Sequence, residues 1–326
     1  MASVFVLGGT GQIGRAAVER LAGAGWEVTI AARHDPPPEL AEFRFLRVDR
    51  TVPGELEAAA DGVDVLVDVV PFTLDDGRQL VSLAASVGSV IAISSGAVYG
   101  WDDLPTPIPE SHETVEPSDA DYGSRKRAIE LMLFEADDLP ATVIRPGAIY
   151  GKGSPHPREW YFVKRALDGR RAIVLANRGQ SRFHTTSVTN LAELILRAAR
   201  QPGTRALNCG DPEPPTVLEI GRIIGALMAH EWTEVLMPGP ELGSVGDHPW
   251  NATAPFVLDM TEATRQLGYT PATTYEAAVP ETVEWVVETT RGRDWRGPIR
   301  DSHYLEPMFD YAAEDSYLAG LHAVVE

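Results

Sequence analysis

Hydrophobic positions in the first half of the chain come in short β-branched runs. Each run gives way to a stretch whose apolar residues lie three and four apart. The runs at residues 4–7, 27–31, 43–48, 63–70, 89–94 and 141–145 predict strands. The stretches at 14–24, 54–60, 79–86 and 124–135 predict helices. The 63–70 run is mostly apolar, as a central strand buried on both faces should be. Strands alternating with helices predict right-handed βαβ units, hence an α/β fold with a doubly wound parallel sheet.

After residue 151 proline and glycine become dense, in "GKGSPHPREW", "GDPEPPT" and "MPGPELGSVGDHPWNATAP". Helices are expected at 160–167, 190–200, 217–228 and 275–289, separated by long loops. The expected organisation is a first domain over 1–151 and a smaller mixed lobe over 152–290, which binds substrate and returns segments to the sheet. An acidic extension follows over 291–326. Its last stretch, "EDSYLAGLHAVVE", is expected as a terminal helix or as a tail docked on a partner.

The composition, 44% hydrophobic and 23% charged over 326 residues, is that of a globular chain. A net charge of −19 repels phosphate backbones and anionic lipids, so nucleic acid and membrane surfaces are not expected as partners. A small nucleotide in a locally arranged pocket stays open. No run is long enough to span a bilayer and no secretory leader is visible. The single cysteine, Cys209, has no partner for an internal disulfide, and a cytoplasmic location is expected. His156, His184, His230 and His248 lack metal-ligand spacing, so no metal is expected.

The opening "VFVLGGTGQIGRAAVERL" raises the first functional candidate. Gly8, Gly11 and Gly14 fit G-x-x-G-x-x-G, while Gly9, Gly11 and Gly14 fit G-x-G-x-x-G, with Gln12 and Ile13 inside the loop. Such a turn needs positive φ, lets the backbone approach a pyrophosphate, and presents the N–H groups of a helix start. Its position between a strand and an amphipathic helix makes a dinucleotide site the expectation, against a purely structural strand-to-helix turn. In "VTIAARHD", Ala32 stands where an NAD site places an acid, and Arg33 follows. An arginine there suits a 2′-phosphate, with Arg15 assisting, so NADP is the expected cofactor and NAD the alternative. Asp35 comes too late to serve NAD, and Asp49, after the third strand, is a candidate adenine contact.

"YGSRK" sets Tyr122 and Lys126 one helical turn apart on one face. A neighbouring ammonium is expected to lower the phenol's pKa and fit it for a carbinol–carbonyl couple. Upstream, "AISSGAVYG" ends a buried strand in Ser94–Ser95, at the sheet edge where such folds bind ligands.

Together these pieces resemble the extended short-chain dehydrogenase/reductase superfamily of nucleotide-sugar epimerases and dehydratases. The resemblance rests on "GGTGQIG", "SSGAVYG", "YGSRK", "IRPGAIYG" and "LDMTEATRQLGYTPATTYEAAVPETVEW". It implies that Ser95 orients the reacting oxygen, with Ser94 as strand-end structure. Tyr122 would be the acid/base, and Lys126 would tune Tyr122 and bond the nicotinamide ribose. It also implies Pro146 and Ile149 beside the nicotinamide, and a homodimer built on the Tyr122 helix. Of the thin candidates in the second lobe, Arg182 and His184 come before Arg158, Trp160 and Lys164 as substrate contacts.

The 4,6-dehydratases of the family carry Asp-Glu after the catalytic threonine, where this chain has Gly96-Ala97, so dehydration is disfavoured. Asn190 stands where the family's "HVxDLA" aspartate is usual. The resulting expectation is an NAD(P)-dependent reductase, dehydrogenase or sugar epimerase acting on a small molecule. The alternative is a non-catalytic relative that senses NAD(P) or associates with RNA.

Overall fold

The computed structural model describes residues 1–252, 254–300 and 302–325. The strands in chain order are β1 (Ser3–Leu7), β2 (Glu27–Ala32), β3 (Arg44–Arg47), β4 (Val65–Asp68), β5 (Val90–Ile93), β6 (Ala141–Pro146), β7 (Ala148–Tyr150), β8 (Ala172–Leu175), β9 (Thr185–Ser187), β10 (Arg205–Cys209) and β11 (Thr233–Leu236). The helices are α1 (Gln12–Gly23), α2 (Glu55–Ala60), α3 (Leu74–Ser82), α4 (Tyr122–Phe134), α5 (Trp160–Leu167), α6 (Val188–Arg200), α7 (Val217–Leu227), α8 (Thr261–Leu267), α9 (Tyr275–Thr290), α10 (Ser302–Leu305) and α11 (Tyr311–Val325).

The chain divides into two compact units. The first comprises Met1–Ile149, Thr186–Pro212 and Leu258–Thr273. Its core is a seven-stranded sheet in the order β10-β6-β5-β4-β1-β2-β3, with every neighbouring pair parallel. This is the doubly wound α/β sheet expected from the alternation of periods. Side chains alternate across it because successive residues of a strand point to opposite faces. Val4 and Val6 pack with Val18 and Leu21 of α1 and Leu191 and Ile195 of α6. Phe5 and Leu7 pack on the other face with Leu56, Leu80, Ile129 and Leu133 of α2, α3 and α4.

Two expectations shift. The helix expected at 79–86 is α3, Leu74–Ser82, which starts five residues earlier. Thr73 and Asp76 form a capping box there and satisfy the free N–H groups of the first turn. The strand expected over 63–70 is ordered only as Val65–Asp68. Past it, Val70 N–H donates to the Asp68 carboxylate at 2.8 Å rather than to a neighbouring strand.

The second unit comprises Tyr150–Thr185, Glu213–Val257 and Thr274–Glu326. An aromatic core of Tyr150, Trp160, Tyr161, Phe162, Trp250 and Trp295 joins α5, α7 and α9. The C-terminal stretch forms α11 and docks on its own unit. Glu314 pairs with Arg165 at 3.2 Å and Arg170 at 3.0 Å, and Tyr317 and Leu318 pack toward Val174, Met237 and Val245. Among the described residues no helix is long and apolar enough to cross a membrane, and no cluster of metal-ligating side chains occurs.

Candidate active site

The register of the first unit places the candidates along one sheet edge. Leu7 of β1 lies opposite Ala31 of β2 and Asp68 of β4, and Asp68 lies opposite Ala92 of β5. Gly8, Arg33, Val69 and Ser94–Ser95 therefore leave the sheet at its carboxyl edge, where ligands bind in such folds.

The glycine turn is built for close approach. Gly8 has φ +82°, and a Cβ there would sit 2.7 Å from Val69 Cγ2. A Cβ on Gly14 would lie 2.3 Å from the Gly8 carbonyl oxygen and 2.5 Å from Gly9 Cα, so the helix start rests directly on the turn. Gly8 N–H donates to Ala31 O at 2.8 Å and Gly11 N–H to Gly8 O at 3.0 Å, which fixes the loop against β2. Gly11 caps α1, Gln12 begins it, and Ile13 packs on the core below.

Arg15 is committed locally. Its Nε donates to Thr10 O at 2.8 Å and its Nη1 pairs with Glu39 at 2.7 Å. At the end of β2, Arg33 is exposed, and its charge helps hold the Asp49 carboxyl below its ordinary pKa. The larger cause there is Thr51, whose hydroxyl and N–H both donate to Asp49. Asp35 is turned to Arg47 at 2.6 Å.

Ser95 follows β5 and caps the short turn Gly96–Tyr99, accepting from Ala97 N–H at 3.1 Å. α4 starts at Tyr122 because Asp121 caps it, accepting from Ser124 N–H at 3.0 Å. Gly123 lets the helix start touch that turn, since a Cβ there would be 2.5 Å from Ala97 O. The two turns so joined set Ser95 close enough to Tyr122 to influence its ionisation. Sequence reasoning passed over Gly123, although a glycine at the second position of a helix was the available signal.

Lys126 lies beneath them, buried, its Nζ 5.7 Å from the Tyr122 ring centre and 4.9 Å from that of Phe72. It donates to Pro71 O and Ile93 O, each at 2.8 Å. Desolvation lowers its pKa to about 8, opposed by the nearby charges of Asp68, Asp76 and Glu130. Tyr122 departs from the expected direction. The residue is 44% exposed, yet desolvation is the larger influence and raises its pKa, while Ser95 pulls the other way. The ammonium faces two backbone carbonyls rather than the phenol oxygen, so desolvation wins.

Ser94 serves the strand end: its hydroxyl donates to buried Glu130 at 2.7 Å, and Glu130 pairs with Arg145 of β6 at 2.6 Å. Arg145 Nη1 donates to Tyr99 OH at 3.0 Å, and that hydroxyl donates to Asn208 Oδ1 at 2.7 Å. Pro146 ends β6, buried, and half-buried Ile149 packs toward the α1 and α6 side of the sheet. Asn190 Nδ2 donates to Asp211 at 2.8 Å and to Thr273 O at 3.0 Å, a structural clasp.

In the second unit, His184 is buried and its N–H donates to Phe256 O at 2.8 Å. Arg182 is half-buried, with Nη1 3.5 Å from Pro214 O. Arg158 lies 5.6 Å from the Phe183 ring centre, Trp160 is a core residue, and Lys164 pairs with Asp168.

The family model described as "NAD dependent epimerase/dehydratase family" matches residues 4–210. The dTDP-6-deoxy-L-talose 4-dehydrogenase (NAD(P)(+)) of Kitasatospora kifunensis is 27% identical over 317 residues, covering 89% of this chain and 96% of its own. The ceramide reductase of Caulobacter vibrioides is 26% identical over 293 residues, covering 86% and 88%. A dTDP-glucose 4,6-dehydratase from Bacillus anthracis, solved in complex with NAD, shares the fold with a TM-score of 0.72 at 17% identity. That likeness covers 90% of this chain and 99% of the other.

Proposed function

The chain belongs to the NAD dependent epimerase/dehydratase family, and from that premise we propose an NAD(P)-dependent oxidoreductase acting on a carbinol–carbonyl couple. The observation that carries this reading is the grouping of Ser95, Tyr122 and Lys126, whose Nζ lies 5.7 Å from the Tyr122 ring centre, at the same sheet edge as the glycine turn. The turn fits a dinucleotide: at Gly8 and Gly14 a Cβ would collide with the turn's own surroundings, so strand, turn and helix start pack as closely as a pyrophosphate-binding loop requires. Gly8, Gly11, Gln12, Ile13 and Gly14 would line the pyrophosphate, Asp49 the adenine, and Pro146 and Ile149 the nicotinamide side. The bound nicotinamide supplies the group that gives or takes hydride.

Tyr122 handles the proton of the substrate oxygen. Like any phenol it is neutral at pH 7, and desolvation holds it so, able to give its proton in carbonyl reduction and to take one back in the reverse oxidation. Ser95 donates a hydrogen bond to the same oxygen as charge develops on it. Lys126 places a positive charge below the pair and offers donors to the nicotinamide ribose. Arg33, exposed at the end of β2, supports NADP over NAD. Gly96 and Ala97 supply no acid or base for water loss, which disfavours dehydration. The dehydrogenase relative, named for a dTDP-deoxysugar, makes such nucleotide sugars the first substrates to try.

The test is mass spectrometry of the co-purifying nucleotide, followed by NADPH consumption with candidate carbonyls. Tyr122→Phe should keep nucleotide affinity and lose about 10²–10⁴ in turnover. Unchanged turnover would refute the role of Tyr122, and tightly held NAD alone would replace net reduction by epimerisation.

A further inference from the structure

A buried ion cluster beside Lys126 stands outside the mechanism. Arg50, in the loop after β3, is 12% exposed and reaches three segments at once. Its Nη1 pairs with the fully buried Asp68 at 2.7 Å and its Nε with Asp76 at 2.9 Å. Further donors reach Gln79 Oε1 at 3.1 Å and Asp76 O at 3.3 Å. The two acids in turn grip the turn at 68–73. Asp68 accepts from Val70 N–H at 2.8 Å, and Asp76 accepts from Phe72 and Thr73 N–H, each at 2.8 Å. Between those gripped residues lies Pro71, whose carbonyl receives the Lys126 ammonium.

A carboxylate with no exposure at a strand end is costly unless paired. Here it is paired, and the turn it holds presents the carbonyl that fixes the family lysine. We propose that Arg50, Asp68 and Asp76 are positioning residues for Lys126, holding the 68–73 turn in place and keeping a negative charge beside the buried ammonium. This rests on the reading of Lys126 given above. The charged or titratable groups facing Lys126 are Asp68 at the end of β4, Asp76 on α3, Glu130 and Tyr122 on α4, and Arg50 from the β3 loop. The acids favour the ammonium and Arg50 disfavours it.

The opposed signs give the experiment. The chain has three lysines, Lys126, Lys152 and Lys164, so ¹³C-lysine labelling yields three Cε resonances, assigned with Lys152→Arg and Lys164→Arg. The full-length protein as purified is titrated by NMR. Lys126 should titrate near 8. Asp68→Asn should lower that midpoint by about one pH unit and Arg50→Met should raise it by a similar amount. Where Asp68→Asn fails to fold, Asp76→Asn, at a partly exposed carboxylate, should give a smaller downward shift. Midpoints unchanged in both variants, or ¹⁵N amide shifts of Val70, Phe72 and Thr73 unchanged in both, would overturn the proposal. A pH–kcat profile of each variant separates the two readings: midpoints that move while the kinetic limb stays put support the positioning and refute a role for Lys126 in the chemistry.

Discussion

Replacing Gly14 by alanine tests whether the glycine turn and the first helix form one pyrophosphate cradle. The new Cβ would sit 2.3 Å from Gly8 O, 2.5 Å from Gly9 Cα and 2.8 Å from Gly9 C. Carbon contacts are comfortable at about 3.5–4.0 Å. All three neighbours are backbone, so no side chain can rotate away, and the turn and the helix start must part by roughly 1 Å. Overpacking of this kind costs about 1–3 kcal/mol. Alanine also gains helix propensity over glycine, about 1 kcal/mol, which would mask part of the loss. Gly23→Ala, near the other end of the same helix with nothing within 4 Å of its Cβ, is the control that isolates that gain. Urea unfolding should therefore place Gly14→Ala about 1–3 kcal/mol below Gly23→Ala. Nucleotide titration should show the same contrast. Losing one charge-assisted N–H contact, about 1.5–3 kcal/mol, weakens Kd roughly tenfold to a hundredfold in Gly14→Ala and leaves Gly23→Ala at the wild-type value. Equal stability and equal Kd in the two variants would refute the cradle.

Arg33→Ser should weaken NADP⁺ roughly 10–100-fold and leave NAD⁺ unchanged in paired titrations, since only the phosphate loses a charge-assisted partner; equal losses for both nucleotides would refute its discriminating role. Glu130→Ala should cost about 3–5 kcal/mol in urea unfolding, because it strands buried Arg145 without its carboxylate. Glu130→Leu combined with Arg145→Met should recover much of that loss, and a double variant no better than the single would argue against a charge penalty. Lys126 has a folded pKa of about 8 against an ordinary 10.5. The unfolded chain thus binds more protons between those values, and stability rises with pH across that window. The unfolding free energy of wild type minus Lys126→Met should climb by about 3 kcal/mol from pH 8 to 10.5, and a flat difference would refute the burial.

What the chain discloses to a reader depends on how far apart the cooperating residues lie. The glycine loop, the Tyr122–Lys126 spacing and the strand ending in Ser94–Ser95 are each local, so their geometry follows from one strand, turn or helix period. The parallel sheet is equally legible, because strand and helix periods alternate along the first half. The Arg50 cluster is not local. Its acids sit at 68 and 76, its cation at 50 and its beneficiary at 126, and the four meet only when β3, β4, α3 and α4 are assembled. Asp68 reads in sequence as an acid spoiling an apolar run, and Thr73–Asp76 was an overlooked capping signal that would have placed α3 correctly. The direction of the Tyr122 shift eluded the sequence for a related reason. Spacing places Lys126 on the same helix face, but which oxygens its ammonium finds is set by Pro71 and Ile93, from other segments. With that charge already solvated by carbonyls, removing water from the phenol dominates and keeps its proton on. A tyrosine so disposed rests protonated, which is the state from which the proposed carbonyl reduction would start, and by microscopic reversibility the same hydroxyl would take the proton back in the oxidation.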